Sequence, residues 1–159
     1  EPSLGLDLDG RELEEARRII FDPGISVLKE AGIARDHGGV TAMHDPTEGG
    51  IATGLKELAM ASGCGIEVYR EKIPILPVAA RILPRFSIDP LGALASGSLV
   101  VCCEEECAQG IIKAWASSGI EGSIIGRITA KKELVLVQNG CRGSLPEFAA
   151  DEITQIFLS

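Results

Sequence analysis

Several features that would assign a protein to a special class are missing from this chain of 159 residues. Its apolar runs are far shorter than the roughly 20 residues that cross a bilayer, so we expect no membrane span. It contains no internal repeat and no low-complexity tract. It starts at Glu1 rather than at Met, and no charged and then apolar leader follows. We therefore expect no signal peptide, and we expect a fragment of a longer protein.

Basic residues are also scarce, because 15 Lys and Arg stand against 23 Asp and Glu, for a net charge of −8. The negative electrostatic field of such a protein repels phosphate backbones, so we expect no nucleic-acid partner. It does not exclude a nucleotide. One local site can oppose the global field through oriented N–H groups or a bound Mg²⁺.

The five cysteines form no regular framework. Cys102, Cys103 and Cys107 are spaced C-C-x-x-x-C rather than CxxC, and no His lies near them. Two of them lie in an apolar run, where Cys is typical of a small buried hydrophobe. The pattern predicts no metal site and no disulfide scaffold, and it indicates a reducing, cytoplasmic compartment.

A composition of 45% apolar and 24% charged residues suits one globular domain or one compact part of a larger protein. Periodicity predicts helices and strands in alternation and then a hairpin, which indicates an α+β fold. We expect an α/β sandwich with a mixed sheet of four to five strands and flanking helices. The predicted helices cover 11–21, 25–31, 49–62, 77–83, 104–118 and 146–157, and the predicted strands cover 40–44, 65–69, 99–103, 123–128 and 133–137, the last two joined as the hairpin.

The segment HDPTEGG, residues 44–50, holds the densest group of special-purpose residues. A strand leads into it and a helix leaves it, and the first N–H groups of a helix can bind an anion. Gly49 and Gly50 would let the backbone approach a ligand or another element closely. His44 could donate to a phosphate or act as a general acid or base near neutral pH.

The same segment also has an ordinary structural interpretation. In it, Asp45 or Thr47 is an N-cap, Pro46 is an early-turn proline and His44 is a satisfied core group. In the functional interpretation, Asp45 or Thr47 could instead help to hold a metal. Short glycine motifs are weak signals, so the residues alone leave both interpretations open. The loop ASGS at 95–98, before a buried strand, could bind phosphate or substrate through the hydroxyl of Ser96 and the backbone at Gly97, or is a plain loop.

A family resemblance adds to this pattern. The stretch AMHDPTEGGIATGLKELAMASGCGIEV, at 42–68, is similar to MHDPTRGGLATALNEIAEASGVGI of the HypE family of hydrogenase expression/formation proteins. That family belongs to the aminoimidazole ribonucleotide (AIR) synthetase-related superfamily. The segments IPILP at 73–77 and DPL at 89–91 also fit its layout, and the match is dense over 24–137. The resemblance implies a PurM-type C-terminal domain.

The resemblance also implies a partner domain and a chemistry. An N-terminal domain would form a homodimer and carry acidic residues for ATP and Mg²⁺, and the ATP site would lie between the two domains. The family activates a carbonyl-type oxygen by phosphorylation, followed by displacement or elimination; HypE dehydrates a thiocarboxamide on its C-terminal Cys during hydrogenase maturation. The implied catalytic group is His44, and the implied cofactor-binding residues are Asp45, Thr47, Gly49, Gly50, Ser96 and Gly97.

Two departures from the family pattern lead to alternatives. Ser96 and Ser98 align with a Glu and a Lys of the family's ANEGK loop, and the chain ends at Ser159 without the family's terminal Cys. We therefore expect a paralogue that acts on another substrate, unless the chain is truncated. The alternative is a non-catalytic module that keeps the fold and binds a metabolite or a partner. Selenophosphate or thiamine-phosphate chemistry ranks below both.

Overall fold

The computed structural model describes residues 10–157. Ser159, the position compared above with the family's terminal Cys, lies outside this range. In the described part, no helix is both long and apolar enough to cross a membrane. The helices are α1 (Gly10–Arg18), α2 (Leu28–His37), α3 (Gly50–Ser62), α4 (Pro77–Ile82) and α5 (Glu105–Ser117), and the strands are β1 (Val40–His44), β2 (Gly65–Tyr69), β3 (Val100–Cys103), β4 (Gly126–Thr129), β5 (Leu134–Gln138) and β6 (Cys141–Ser144).

The strands form two sheets. The larger sheet has the order β4-β2-β5-β6, in which β2 is antiparallel to β4 and parallel to β5, and β5 is antiparallel to β6. This arrangement confirms the predicted mixed sheet. Strands β1 and β3 form a separate antiparallel pair, with Val40 opposite Cys103 and His44 opposite Val100. The strand that leads to the HDPTEGG segment therefore belongs to the smaller sheet.

The predicted hairpin between 123–128 and 133–137 was wrong. Strands β4 and β5 do not pair with each other, because β2 lies between them. Gly65 permits this insertion: a Cβ there would overlap the carbonyl oxygen of Lys131, and the next residue, Ile66, donates its N–H to Glu133 at 2.9 Å. The hairpin in the structure joins β5 to β6 at Asn139 and Gly140, whose φ angles of 50° and 75° match a two-residue turn.

Three predicted helix boundaries also need correction. The first helix ends at Arg18, and a π-type turn covers Ile20–Gly24. Helix α2 begins at Leu28 rather than at 25, and at its other end it does not stop at Gly32 but continues to His37. Tertiary packing outweighs the glycine signal here, because Ala34 is fully buried against α5.

The predicted C-terminal helix over 146–157 is reduced to a 3-10 turn, Glu152–Phe157. The side chain of Asp151 accounts for the late start. Its Oδ1 accepts the N–H of Ile153 at 2.9 Å, which caps the turn and keeps the preceding segment out of the helix.

Two apolar clusters hold the elements together. The first joins α3 to the larger sheet, and the second joins α2 and α5 to the β1–β3 pair. In the second, the indole N–H of Trp115 donates to the carbonyl of Glu30 at 2.9 Å, so that α5 is fixed to α2. Because β1 packs on the second cluster and α3 on the first, the turn between them lies where the two clusters meet.

One charged side chain, Glu67 on β2, is almost completely buried, with 3% of the side chain exposed. The Tyr69 hydroxyl donates to it at 3.0 Å, Arg127 pairs with it at 2.7 Å, and Arg142 pairs with its other oxygen. Burial raises the pKa of Glu67, but these donors together outweigh burial and hold the pKa below its ordinary value. The carboxylate ties β4 and β6 to the centre of the sheet.

We expect the Glu67 network to contribute stability at neutral pH and to lose it in acid. A carboxyl with a lowered folded-state pKa stabilises above its unfolded pKa of about 4.3, and this contribution is lost as the pH falls through the folded pKa. Denaturant titrations should therefore show that Glu67→Gln has a lower free energy of unfolding than wild type near pH 7. The difference between the two free energies should become smaller toward about pH 3. Glu121→Gln, at an exposed position, is the control. If the difference in free energy of unfolding between wild type and Glu67→Gln stayed constant with pH, the lowered pKa of Glu67 would be contradicted.

Candidate functional site

The HDPTEGG segment connects the end of β1 to the start of α3 at the surface. Pro46 is fully buried and anchors the turn, whereas the side chains of Asp45, Thr47 and Glu48 are exposed. The structure thus presents three polar side chains on a fixed turn. This placement matches the strand, turn and helix that the sequence predicted.

His44, the last residue of β1, forms a hydrogen-bonded pair with Glu57 of α3. The His44 Nε2 and Glu57 Oε2 atoms are 2.6 Å apart, and 28% and 59% of the two side chains are exposed. A short hydrogen bond of this kind to a carboxylate fixes the orientation of the ring. With Nε2 held by Glu57, Nδ1 is the nitrogen that can reach a ligand.

Gly54 makes room for this pair. A Cβ at Gly54 would lie 2.8 Å from the Cβ of Pro46 and 3.2 Å from Cδ2 of His44, so the glycine lets the turn pack onto α3. Glu57 is not among the residues that the sequence predicted for the site. Its helical spacing gives a signal in retrospect, because Glu57 follows Gly54 by three positions and therefore lies on the same face of α3.

The N–H groups at the start of α3 already bind oxygens of the protein itself. Gly49 donates to Oδ2 of Asp151 at 2.9 Å, Gly50 donates to the carbonyl of Thr47 at 3.1 Å, and Ala52 donates to the carbonyl of Leu91 at 3.0 Å. The N-cap residue is Gly49, so neither Asp45 nor Thr47 takes that position. Ligand binding at Gly49 and Gly50 remains a prediction.

The glycine pair has a clear packing role. Both residues have positive φ angles, 72° and 65°, and both are buried. A Cβ at Gly50 would lie 2.5 Å from the carbonyl oxygens of Leu91 and Ala93. Gly50 therefore lets the loop that precedes β3 pass directly over the start of α3, whereas Gly49 makes room for the side chain of Thr53.

That loop brings the second predicted segment to the first. The carbonyl of Thr47 accepts the N–H of Ala95 at 3.2 Å. The N–H of Ser98 donates to the carbonyl of Ala95 at 3.0 Å, which closes a turn over 95–98. Ser96 and Gly97 lie at the exposed tip of this turn. The structure thus brings the turn of Ser96 and Gly97 to Thr47, while the hydrogen bond of His44 is to Glu57 of α3.

The cysteines at the end of β3 lie away from this arrangement. Burial raises the pKa of the Cys102 and Cys103 thiols above the ordinary value, and neighbouring groups add to the effect. Both thiols are therefore protonated at neutral pH and suit the small-hydrophobe interpretation. Across residues 10–157, no group of three or more His, Cys, Asp or Glu side chains is arranged to hold a metal ion.

Comparison with known proteins agrees with the fold and with the position of the turn. Residues 25–139 match the family described as AIR synthase related protein, C-terminal domain. The chain belongs to this family. The matched range includes β1 to β5 and the whole of the HDPTEGG segment, as the sequence resemblance implied.

Individual relatives of this AIR synthase-related domain are hydrogenase maturation proteins. Carbamoyl dehydratase HypE of Escherichia coli (strain K12) is 30% identical over 129 residues, which cover 80% of this chain and 36% of the relative. The crystal structure of E. coli HypE matches with a TM-score of 0.73 and 28% identity, over 82% of this chain and 42% of that one. A structure of HypE in complex with ATP shares the fold, with a TM-score of 0.66 and 22% identity, over 76% of this chain and 39% of that one.

These comparisons also give the extent of the match. The chain spans less than half the length of the relatives that it matches, since it covers 36% of the curated E. coli protein and 42% of the E. coli structure. The fold is thus established for this domain, and the activity of a whole protein is a matter for proposal.

Proposed function

We propose that this domain forms one wall of an ATP-dependent site and that an N-terminal domain of a longer, homodimeric protein forms the other. The complete enzyme would activate a carbonyl- or amide-type oxygen by phosphoryl transfer, as a step in hydrogenase maturation. The observation that carries the proposal is the His44–Glu57 pair, a carboxylate-held imidazole at 2.6 Å on the turn that identifies the family. The relative that is named a carbamoyl dehydratase supports the substrate class.

The residues present here fit part of an ATP site. The side chains of Thr47 and Ser96 are exposed on adjacent turns, where their hydroxyls suit hydrogen bonding to phosphate oxygens. Asp45 is exposed on the same turn and offers the oxygen ligands that Mg²⁺ prefers. We assign most of the Mg²⁺ ligands to the N-terminal domain, because one carboxylate does not make a magnesium site.

Each predicted residue then has a role in the proposed site. ATP supplies the phosphoryl group that turns the substrate oxygen into a leaving group. His44 would hold or deliver a proton at Nδ1 beside that oxygen, with Glu57 holding the ring in position. Gly49 and Gly50 would set the position of the turn, and Gly97 would shape the tip that carries Ser96.

A nucleotide titration of the full-length protein tests the proposal. We expect saturable binding of ATP in the presence of Mg²⁺, measured by calorimetry, with affinity that falls when Mg²⁺ is removed. Absence of ATP and ADP binding with Mg²⁺ present would overturn the proposal. It would favour the non-catalytic module, for which Ser96 in place of the family's Glu is the sequence argument.

A further inference from the structure

Asp151 connects three segments of backbone through one carboxylate. Its Oδ2 accepts the N–H of Gly49 at 2.9 Å, and its Oδ1 accepts the N–H groups of Leu94 at 3.2 Å and Ile153 at 2.9 Å. Gly49 belongs to the HDPTEGG turn, and Leu94 belongs to the loop that carries Ser96. The carboxylate therefore bridges the two segments that make up the candidate site.

The segment around Asp151 is held in place by further contacts. Glu152 donates its N–H to the carbonyl of Gly92 at 3.0 Å, and a Cβ at Gly92 would lie 2.6 Å from the ring of Phe148. Residues 148–153 thus lie directly on the loop before β3. The hydrogen bond from Ala95 to Thr47 already joins this loop to the HDPTEGG turn. The carboxylate of Asp151 therefore makes a second connection between the same two segments.

We propose that Asp151 is a positioning residue of the ATP-dependent site: it holds the turn of His44 and Thr47 in register with the loop of Ser96. This inference rests on the proposed function and adds a residue to it. Asp151 itself acts only through the two segments that it joins. The bond to Gly49 also places a negative charge at the start of α3, where the helix dipole favours it.

A purely structural cap would give different results from a positioning residue. A cap contributes to stability, so its loss lowers the melting temperature and leaves kcat per folded molecule unchanged. A positioning residue controls the relative placement of reacting groups, for which an error of about 1 Å can cost up to a hundredfold in rate. The kinetic constants of the folded protein therefore distinguish the two roles.

Asp151→Asn is the sharpest variant, because it keeps the size of the side chain. An amide has one acceptor oxygen in place of two. If that oxygen accepts the N–H groups of Leu94 and Ile153, the NH₂ faces the N–H of Gly49, and the bond to the HDPTEGG turn is lost. If it accepts the N–H of Gly49, the bond to the loop at Leu94 is lost. Glu147→Gln is the matched control: it makes the same change of charge on the same segment, but Glu147 pairs at the surface with Lys56.

In the full-length protein, well below its melting temperature, we expect Asp151→Asn to lower the kcat of ATP-dependent turnover by about ten- to a hundredfold, with KM for ATP changing less. Glu147→Gln should match wild type. Asp151→Ala leaves a space of about carboxylate size, so added formate should restore part of its turnover, while it should not restore Asp151→Asn, whose side chain fills that space. Wild-type kcat in both Asp151 variants would overturn the role of Asp151.

Failure of this inference can be separated from failure of the proposed function. A wild-type protein that binds and turns over ATP, together with unchanged kcat in the Asp151 variants, overturns the role of Asp151 alone. A wild-type protein without ATP turnover overturns the proposed function and this role with it. Amide exchange gives a readout besides activity: Gly49 or Leu94 should exchange faster in Asp151→Asn, and unchanged exchange at both would contradict the bridge.

Discussion

Gly50→Ala is expected to lower the free energy of unfolding by about 3 kcal/mol. An L-residue pays about 1–2 kcal/mol for the left-handed conformation that Gly50 adopts at φ 65°. The new Cβ would also lie 2.5 Å from the carbonyl oxygens of Leu91 and Ala93, and overpacking of this kind costs about 1–3 kcal/mol. Because the atoms that the new Cβ would meet belong to the backbone, no flexible side chain can move away to make room.

Gly119→Ala separates the two causes. Gly119 has a similar φ of 76°, but a Cβ there has nothing within 4 Å, so only the conformational cost of about 1–2 kcal/mol remains. Denaturant titrations of the two variants and of wild type provide the comparison. Equal losses in the two variants would show that the loop before β3 does not press on the start of α3 as the structure describes.

His44→Ala in the full-length protein is expected to reduce ATP-dependent turnover by about a hundredfold or more, which is the usual contribution of a positioned acid or base. We expect the fold to be retained, because the side-chain hydrogen bond that is lost joins His44 to a partner, Glu57, whose side chain is 59% exposed. Glu57→Gln keeps the shape of the partner and removes its charge, so we expect a smaller loss of about tenfold. Steady-state kinetics and a melting curve for each variant supply both measurements.

The chain offers a natural control, since His44 and His37 are its two histidines. His37 is exposed at the end of α2 and packs against Gly110, away from the HDPTEGG turn. We expect His37→Ala to keep wild-type turnover. If His44→Ala also retained full turnover, His44 would be removed from the proposed mechanism.

Local patterns in the sequence predicted the elements that carry the site. Strands β1 and β2 occupy the predicted residues, because a short apolar run bounded by turn residues specifies a strand without help from elsewhere. Helix α3 also begins at the predicted glycines. The family resemblance at 42–68 depends on these same residues, which is why the family could be named from the sequence.

Strand pairing could not be predicted in the same way. The choice between a β4–β5 hairpin and the insertion of β2 depends on contacts between residues far apart in sequence, such as Ile66 with Glu133. One local signal was available, since Asn139-Gly140 is typical of a two-residue hairpin turn. The loop at 129–132 has neither Gly nor Asn, so its sequence does not favour a two-residue hairpin turn.

The parts of the site that sequence analysis missed also come from distant contacts. Asp151 lies 102 positions from Gly49, and its surroundings have the periodicity of a helix. Glu57 lies 13 positions from His44, and only the packing of the turn onto α3 brings them together. The N–H groups of Gly49, Gly50 and Ala52 looked available to an anion, but they bind oxygens of Asp151, Thr47 and Leu91.

The most direct test of the central claim is to locate the ATP contact on the full-length protein by hydrogen–deuterium exchange, with and without ATP and Mg²⁺. We expect slower exchange in peptides that cover 44–50 and 94–98, and no change in β6 at 141–144, on an outer edge of the larger sheet. Binding of ATP without protection of 44–50 and 94–98 would contradict the claim that this turn and this loop form one wall of the site.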